Sequence, residues 1–153
     1  MITVSTDLIK QLREETNAPV MECKAALQEA NGDLEKAKEI LNKKGIERAD
    51  KKASRETKAG VIETYTHNNG RVGVMVEVFC ESDFVGKNDK FKTLCHELVL
   101  QIASMNPESV EALFAQPWIR DESKTIEQLV KETIGVLGEN IKVNRFVRYE
   151  LGL

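Results

Sequence analysis

The chain has 153 residues, 41% hydrophobic and 31% charged, and a formal net charge of -3. That is the composition of a soluble globular protein with room for one ordinary domain or two small ones, and its mildly acidic balance makes nucleic acid a poor main partner. No run of 18 apolar residues occurs and the opening Met1-Ile2-Thr3-Val4 lacks a basic segment followed by an apolar one, so neither a membrane span nor export is expected; Cys23, Cys80 and Cys95, odd in number and at no metal-ligand or CxxC spacing, fit reduced thiols in a cytoplasmic protein, a cross-link between subunits being the other option.

Ser5 or Thr6 can cap a first helix carrying Leu8, Ile9 and Leu12. Thr16-Asn17-Ala18-Pro19 interrupts it, because proline is tolerated in the first turn of a helix but not inside one. A second helix follows with Val20, Cys23, Leu27 and Ala30 in register. Asn31-Gly32-Asp33 supplies a left-handed exit and the next N-cap, and a third helix places Leu34, Ala37, Ile40 and Leu41 inward until Gly45 stops it. These helices make a small bundle over residues 1–45. Alone it would be marginal, so it is expected to pack on something larger.

Residues 43–58 hold seven basic and three acidic side chains and almost nothing to bury, which predicts a solvated, partly helical linker over 46–58 between two modules. It has no interleaved aromatics and no nucleic-acid reading motif. From residue 59 to 153 the pattern is that of a second domain. Val61, Glu63 and Tyr65 alternate with Ile62, Thr64 and Thr66, and His67-Asn68-Asn69-Gly70-Arg71 has hairpin turn chemistry. Val72, Val74, Val76 and Val78 share one face of the next strand, and Met75 and Phe79 are apolar on the other. This sheet is therefore expected to be covered on more than one side, by the bundle, a helix or another subunit.

At Glu81-Ser82-Asp83-Phe84-Val85-Gly86-Lys87-Asn88 the period changes from two to that of a helix, whose stripe is Phe91, Leu94, Cys95, Leu98, Val99, Ile102 and Ala103. One reading of Ser82-Asp83-Phe84 is an N-cap beside a core residue. The other is a protruding tip in which Asp83 and an exposed Phe84 enter a partner, because an aromatic left in water forgoes about 1.5–3 kcal/mol that binding could recover. Local pattern supports both. Cys95-His96 is not a catalytic pair, since neighbours on a helix point about 100 degrees apart and only Cys95 lies on the apolar stripe.

The helix ends at Asn106-Pro107. Val110, Leu113 and Phe114 follow, then an irregular piece, Ala115-Gln116-Pro117-Trp118-Ile119, that uses the single tryptophan as a packing anchor. Thr125 and Gln128 form a capping box for a helix carrying Ile126, Leu129, Val130, Thr133, Ile134 and Leu137. Gly135 and Gly138 weaken its end by about 1 kcal/mol each relative to alanine, which suggests close backbone approach or fraying. In a last strand, Ile141, Val143, Val147, Tyr149 and Leu151 alternate with Lys142, Asn144, Phe146, Arg148 and Glu150. The fold class is α+β, a helical bundle joined to a small antiparallel sheet packed with helices. No phosphate loop, zinc spacing, paired carboxylates or internal repeat occurs, so no enzyme, metal or cofactor is indicated.

Three stretches, in order, resemble the bacterial elongation factor Ts family. They are Thr16-Asn17-Ala18-Pro19-Val20-Met21-Glu22-Cys23-Lys24-Ala25-Ala26-Leu27 with Glu29-Ala30-Asn31-Gly32-Asp33, then Val76-Glu77-Val78-Phe79-Cys80-Glu81-Ser82-Asp83-Phe84-Val85, and then Gly138-Glu139-Asn140-Ile141-Lys142-Val143-Asn144-Arg145-Phe146. The resemblance implies a ubiquitin-associated-like N-terminal domain and guanine-nucleotide exchange on elongation factor Tu, in its GDP-bound and nucleotide-free forms. It casts Phe84 as a wedge near the metal and phosphate loop, Asp83 as its electrostatic support, Val85 as part of the same contact, and Leu12, Val20, Met21 and Lys24 as the grip of the bundle. Gln101 stands where the family commonly has a histidine that presses on the partner's phosphate loop. Asn17 and Pro19 replace two glycines of the first motif, Val20 a methionine and Ser82 a threonine. Only eight residues join Pro107 to Gln116, where many members carry a helical insertion and often a second core repeat, so the missing contacts are absent or come from a homodimer mate. The alternative is a non-exchanging scaffold module built on the same bundle.

Overall fold

The computed structural model describes residues 2–153 and shows an α+β chain with two apolar clusters, one inside the bundle and one between a sheet and its covering helices. Helix α1 (Thr6–Thr16) is capped by the Ser5 hydroxyl, which accepts from the Leu8 N–H at 3.2 Å, and it ends on a left-handed Asn17. Helix α2 (Val20–Glu29) starts directly after Pro19. The third helix, α3 (Leu34–Lys52), begins at the Asp33 cap. Leu12, Cys23, Ala26, Leu27, Ala37 and Leu41 fill the space between the three.

Gly45 does not stop α3. The helix runs seven residues further, through most of the stretch expected to be a solvated connector, because Gly45 and Ala49 are buried against the second module. Packing there outweighs the cost of about 1 kcal/mol for glycine inside a helix. Lys43 and Lys51 are exposed, Arg48 reaches Glu22 of α2, and the chain turns irregular only after Lys52.

Strands β1 (Ala59–His67) and β2 (Val72–Cys80) form the expected hairpin, with Asn68, Asn69 and Gly70 all at positive φ in the turn. A four-residue helix α4 (Asp83–Gly86) and a long helix α5 (Asp89–Met105) follow. Next come α6 (Val110–Ala115), a short ribbon of β3 (Pro117–Trp118) and β4 (Asp121–Thr125), helix α7 (Ile126–Leu137) and strand β5 (Ile141–Glu150). The main sheet has the order β1-β2-β5, antiparallel throughout, with β2 in the centre. Its inner face, Val72, Val74, Val76, Val78 and Cys80, packs on the α5 stripe and on Ile126, Val130 and Ile134 of α7. The capping box at Thr125 and Gln128 is present, and Trp118 is half-buried against the core with its Nε1–H donated to Glu97 at 3.2 Å.

Two strand expectations change. The alternation in β5 reverses midway, because a bulge sets Val143 opposite Val78 but Arg145 opposite Glu77 and leaves Asn144 over. Ile141 and Val143 face the helices, whereas beyond the bulge Phe146 and Arg148 do so and Val147 and Tyr149 point outward. Arg148 uses this turn of the strand to donate to the Ala103 carbonyl near the end of α5, from Nε and Nη2, both at 3.2 Å. Secondly, within one chain the sheet is covered on one face only. Ile62, Met75, Val147 and Tyr149 remain exposed on the other.

All three cysteines are buried and unpaired. Burial pushes the Cys95 thiol up to about 12, so it stays protonated and behaves as an apolar core side chain. Phe91, fully buried where α5 meets β2, is a central support of this core. Phe91→Ala is expected to lower unfolding stability by about 3–5 kcal/mol in urea titration. A loss below about 1 kcal/mol would mean that the core does not rest on this ring.

Candidate functional site

The change of period after β2 produces a protrusion, not a sealed corner. Ser82 is the N-cap of α4, its hydroxyl accepting from the Val85 N–H at 3.3 Å, and within the single turn that follows the side chains separate cleanly. Val85 and Gly86 turn inward, Gly86 lying where a Cβ would stand 3.7 Å from the Cys80 sulfur. Asp83 and Phe84 turn outward, and Phe84 is 82% exposed. The Asp83 carboxylate has no hydrogen bond or ion pair among the described residues.

The root of this tip is held from several directions. Glu139, just beyond α7, takes the Ser82 N–H at 3.0 Å on one oxygen and the Ser82 hydroxyl at 2.6 Å on the other. Glu81 accepts the Asn140 backbone N–H at 2.8 Å, and the Asn140 side-chain amide donates to the Arg55 carbonyl at 2.9 Å, which ties in the chain that leaves α3. Arg55 also stands 3.6 Å from Glu81. Burial and the Glu139 charge beside it push the Cys80 thiol up, so the thiol keeps its proton and donates to the Ser82 carbonyl at 3.2 Å. Hydrogen bonds that include charged acceptors hold the base, and the ring at the apex is free.

The second exposed cluster is at the start of α2. Val20, Met21 and Lys24 are open to solvent, Met21 being 71% exposed, while Cys23, Ala26 and Leu27 on the same helix face the bundle core. Glu22, between them in sequence, accepts from Arg48 of α3 at 2.6 Å, which fixes α2 on its neighbour.

Three residues expected to touch a partner have no surface with which to do so. Leu12 is fully buried at the centre of the bundle, because the face of α1 that carries it meets α2 and α3. Val85 is buried and acts as the anchor beneath Phe84. Gln101 is fully buried, its amide N–H donated to the Gln116 side chain at 3.2 Å and the Pro117 carbonyl at 3.0 Å, its oxygen accepting from the Ile119 N–H at 2.9 Å. It pins the short connection after α6 onto α5. Conversely, Glu81, Glu139 and Asn140 were not singled out from their chemistry, because hydrogen bonds spanning nearly 60 residues leave no local periodic signal. The left-handed Gly138 at the end of α7 marks where that chain must turn toward the tip.

Among the described residues no group of three or more His, Cys, Asp or Glu is placed to hold a metal ion, and no helix is long and apolar enough to cross a membrane. What the site offers is shape: a braced, exposed aromatic with a free carboxylate beside it, and a second apolar and basic patch on a separate bundle.

A family model described as Elongation factor TS matches residues 81–152. The chain is 44% identical over 194 residues to "Elongation factor Ts" of Coprothermobacter proteolyticus, covering 97% of this chain and 98% of that one. It is 42% identical over 192 residues to "Elongation factor Ts" of Thermotoga maritima, at 97% and 96% coverage. With "Elongation factor Ts" of Thermosynechococcus vestitus the identity is 41% over 198 residues, covering 99% of this chain and 67% of that protein. These alignments are longer than the 153 residues of the chain, so each relative has a stretch without a counterpart here.

Because Phe84 makes so little contact with its own fold, Phe84→Ala is expected to leave the unfolding midpoint nearly unchanged, whereas Glu139→Ala removes two hydrogen bonds from a part-buried root and is expected to cost about 1–3 kcal/mol. Chemical denaturation of both variants checks this. A larger loss for Phe84→Ala than for Glu139→Ala would place the ring inside the core.

Proposed function

The chain belongs to the elongation factor Ts family and is a guanine-nucleotide exchange factor for elongation factor Tu in translation, not an enzyme; from that premise we propose that it works as a two-point lever, with Phe84 as the wedge and the start of α2 as the grip. An exchange factor makes and breaks no covalent bond. It binds the emptied GTPase more tightly than the loaded one, and by linkage the nucleotide's affinity falls by the same factor. Each 1.4 kcal/mol of that coupling is worth tenfold, so the wedge must find binding energy elsewhere to deform a site where phosphate and Mg²⁺ are held by a closely fitted set of oxygen and N–H ligands.

The observation that carries this reading is Phe84 at 82% exposure on a turn whose base is fixed by Glu139, Glu81 and Asn140. A ring held rigidly in water forgoes about 1.5–3 kcal/mol until a partner covers it, and little ordering entropy remains to be lost when that happens. Asp83 beside it carries a free negative charge that can receive a donor or cation of the deformed GTPase. Val20, Met21 and Lys24 supply remote binding energy from the nucleotide-binding domain, and the bundle that presents them is of the ubiquitin-associated-like kind. Both the GDP-bound and the nucleotide-free forms of elongation factor Tu are partners, met in the cytoplasm.

The open face of the sheet supports one further element of the reading, a homodimer. Ile62, Met75, Val147 and Tyr149 lie together on it, Tyr149 at 75% exposure, and the Met75–Val147 and Gly73–Tyr149 pairings place them side by side. A second copy laid on this face would give the sheet the second cover that one chain does not provide.

In a stopped-flow measurement of labelled GDP leaving elongation factor Tu, Phe84→Ala is expected to reduce the acceleration at least about tenfold, and Lys24→Ala to weaken complex formation in titration. Undiminished acceleration by folded Phe84→Ala would remove the wedge; unchanged affinity of Lys24→Ala would remove that residue from the grip. For the dimer, sedimentation is expected to give twice the 17.2 kDa chain mass and Tyr149→Glu to halve it, whereas a wild-type monomer at micromolar concentration would exclude it.

A further inference from the structure

The grip and the wedge stand on different modules, so their separation has to be set by the joint between them. That joint is narrow. Helix α3 makes the bundle's principal contact with the second module, through its crossing with α7, and beside the crossing an open cleft of about 950 Å³ separates the loop entering α2 from Ser123, Lys124 and Glu132. At the crossing the two helices meet glycine to glycine. A Cβ added to Gly135 would lie 2.7 Å from the Gly45 Cα and 2.8 Å from its carbonyl oxygen, distances that backbone cannot accept without moving. A Cβ added to Gly45 would be 3.8 Å from the Gly135 Cα, an ordinary contact. Flanking bonds hold the helices at this closeness: the Asn42 amide donates to Glu132 at 2.9 Å and Lys131 stands 2.9 Å from Asp50.

The same α7 leads, within five residues of Gly135, to Glu139 and Asn140, which clamp the root of the tip and the chain leaving α3. One helix therefore touches the grip's module at Gly135 and the wedge's base at its end. We propose that Gly135 is a positioning residue for exchange, its missing side chain setting the distance and angle from Val20, Met21 and Lys24 to Phe84. The inference rests on the two-point reading of the preceding subsection. A side chain at 135 pushes α3, and the bundle with it, away from the tip, so that engaging the grip no longer brings the ring to its target.

The test compares wild type, Gly135→Ala and Gly45→Ala for GDP release from elongation factor Tu over a range of factor concentrations. For Gly135→Ala the maximal acceleration is expected to fall about tenfold while the half-saturating concentration changes less than about threefold, because the grip still binds. Gly45→Ala is expected to retain wild-type exchange. A merely structural fault behaves differently, since a partly unfolded population lowers the active concentration, which raises the half-saturating value and spares the maximum. In the double variant, Phe84→Ala is expected to add less than about threefold to the loss from Gly135→Ala, as residues acting through one geometry are not additive. Should Gly135→Ala fail to fold, Gly45→Val applies the same outward pressure from α3. Wild-type exchange by folded Gly135→Ala, full additivity with Phe84→Ala, or failure of both spacing variants to fold overturns the proposal. If wild type itself does not accelerate release, the exchange reading fails instead, and the two failures are distinguishable.

Discussion

The double hydrogen bond from Ser82 to the Glu139 carboxylate is what holds the exposed tip in place. A four-residue helix has too few internal bonds to persist by itself, and an aromatic side chain on it would ordinarily fold back onto the nearest apolar surface. Here the turn is held at its cap by Glu139, from below by Val85 and Gly86 against the core, and at the preceding residue by Glu81. With those constraints in place Phe84 stands on the outer side of the turn, away from the core that Val85 enters. Its exposure follows from rigidity at the base.

Rigidity at the base matters only if it is transmitted. The α3–α7 crossing and the Asn140 amide tie the bundle, the sheet end and the tip root together, which is what the proposed lever requires of its arm. The stretch after Gly45 is helical because Gly45 and Ala49 are buried in that crossing. A long solvated connector would have tethered the bundle, raising the local concentration of its binding surface, but it could not have held a lever arm at fixed length. The sheet contributes the platform, and its uncovered face leaves Ile62, Met75, Val147 and Tyr149 exposed within one chain.

Much of this was legible in the residues, and the parts that were not share a cause. The α5 stripe, the hairpin turn, the Thr125 capping box and the Asp33 cap are local patterns, set by spacing within a few residues, and each appears where its spacing places it. Gly45 has the local signature of a helix stop because glycine's intrinsic preference is local, whereas its partner Gly135 lies 90 residues away. The reversal of β5 at Asn144 was hidden because both faces of that strand mix polar and apolar residues, and only the pairing with β2 shows which residue is extra. The resemblance places Leu12 and Gln101 on the partner surface, yet the bundle core and the β3 connection claim them. Local pattern leaves Phe84 open between core residue and exposed tip; the structure caps the turn with Ser82 and leaves the ring exposed, through long-range bonds of Glu139 and Asn140 that no local spacing signals.

Exchange couples two ligands of elongation factor Tu, one a guanine nucleotide and the other this protein. Its most direct measurement is the dissociation constant of the protein complex at rising GDP concentration, set beside the dissociation constant of GDP at rising concentration of this protein. Each ligand is expected to weaken the other by the same factor, at least about a hundredfold if two such tenfold steps of coupling are stored in the lever. A complex whose affinity is indifferent to saturating GDP would contradict it, because binding without that antagonism leaves no free energy with which to expel the nucleotide.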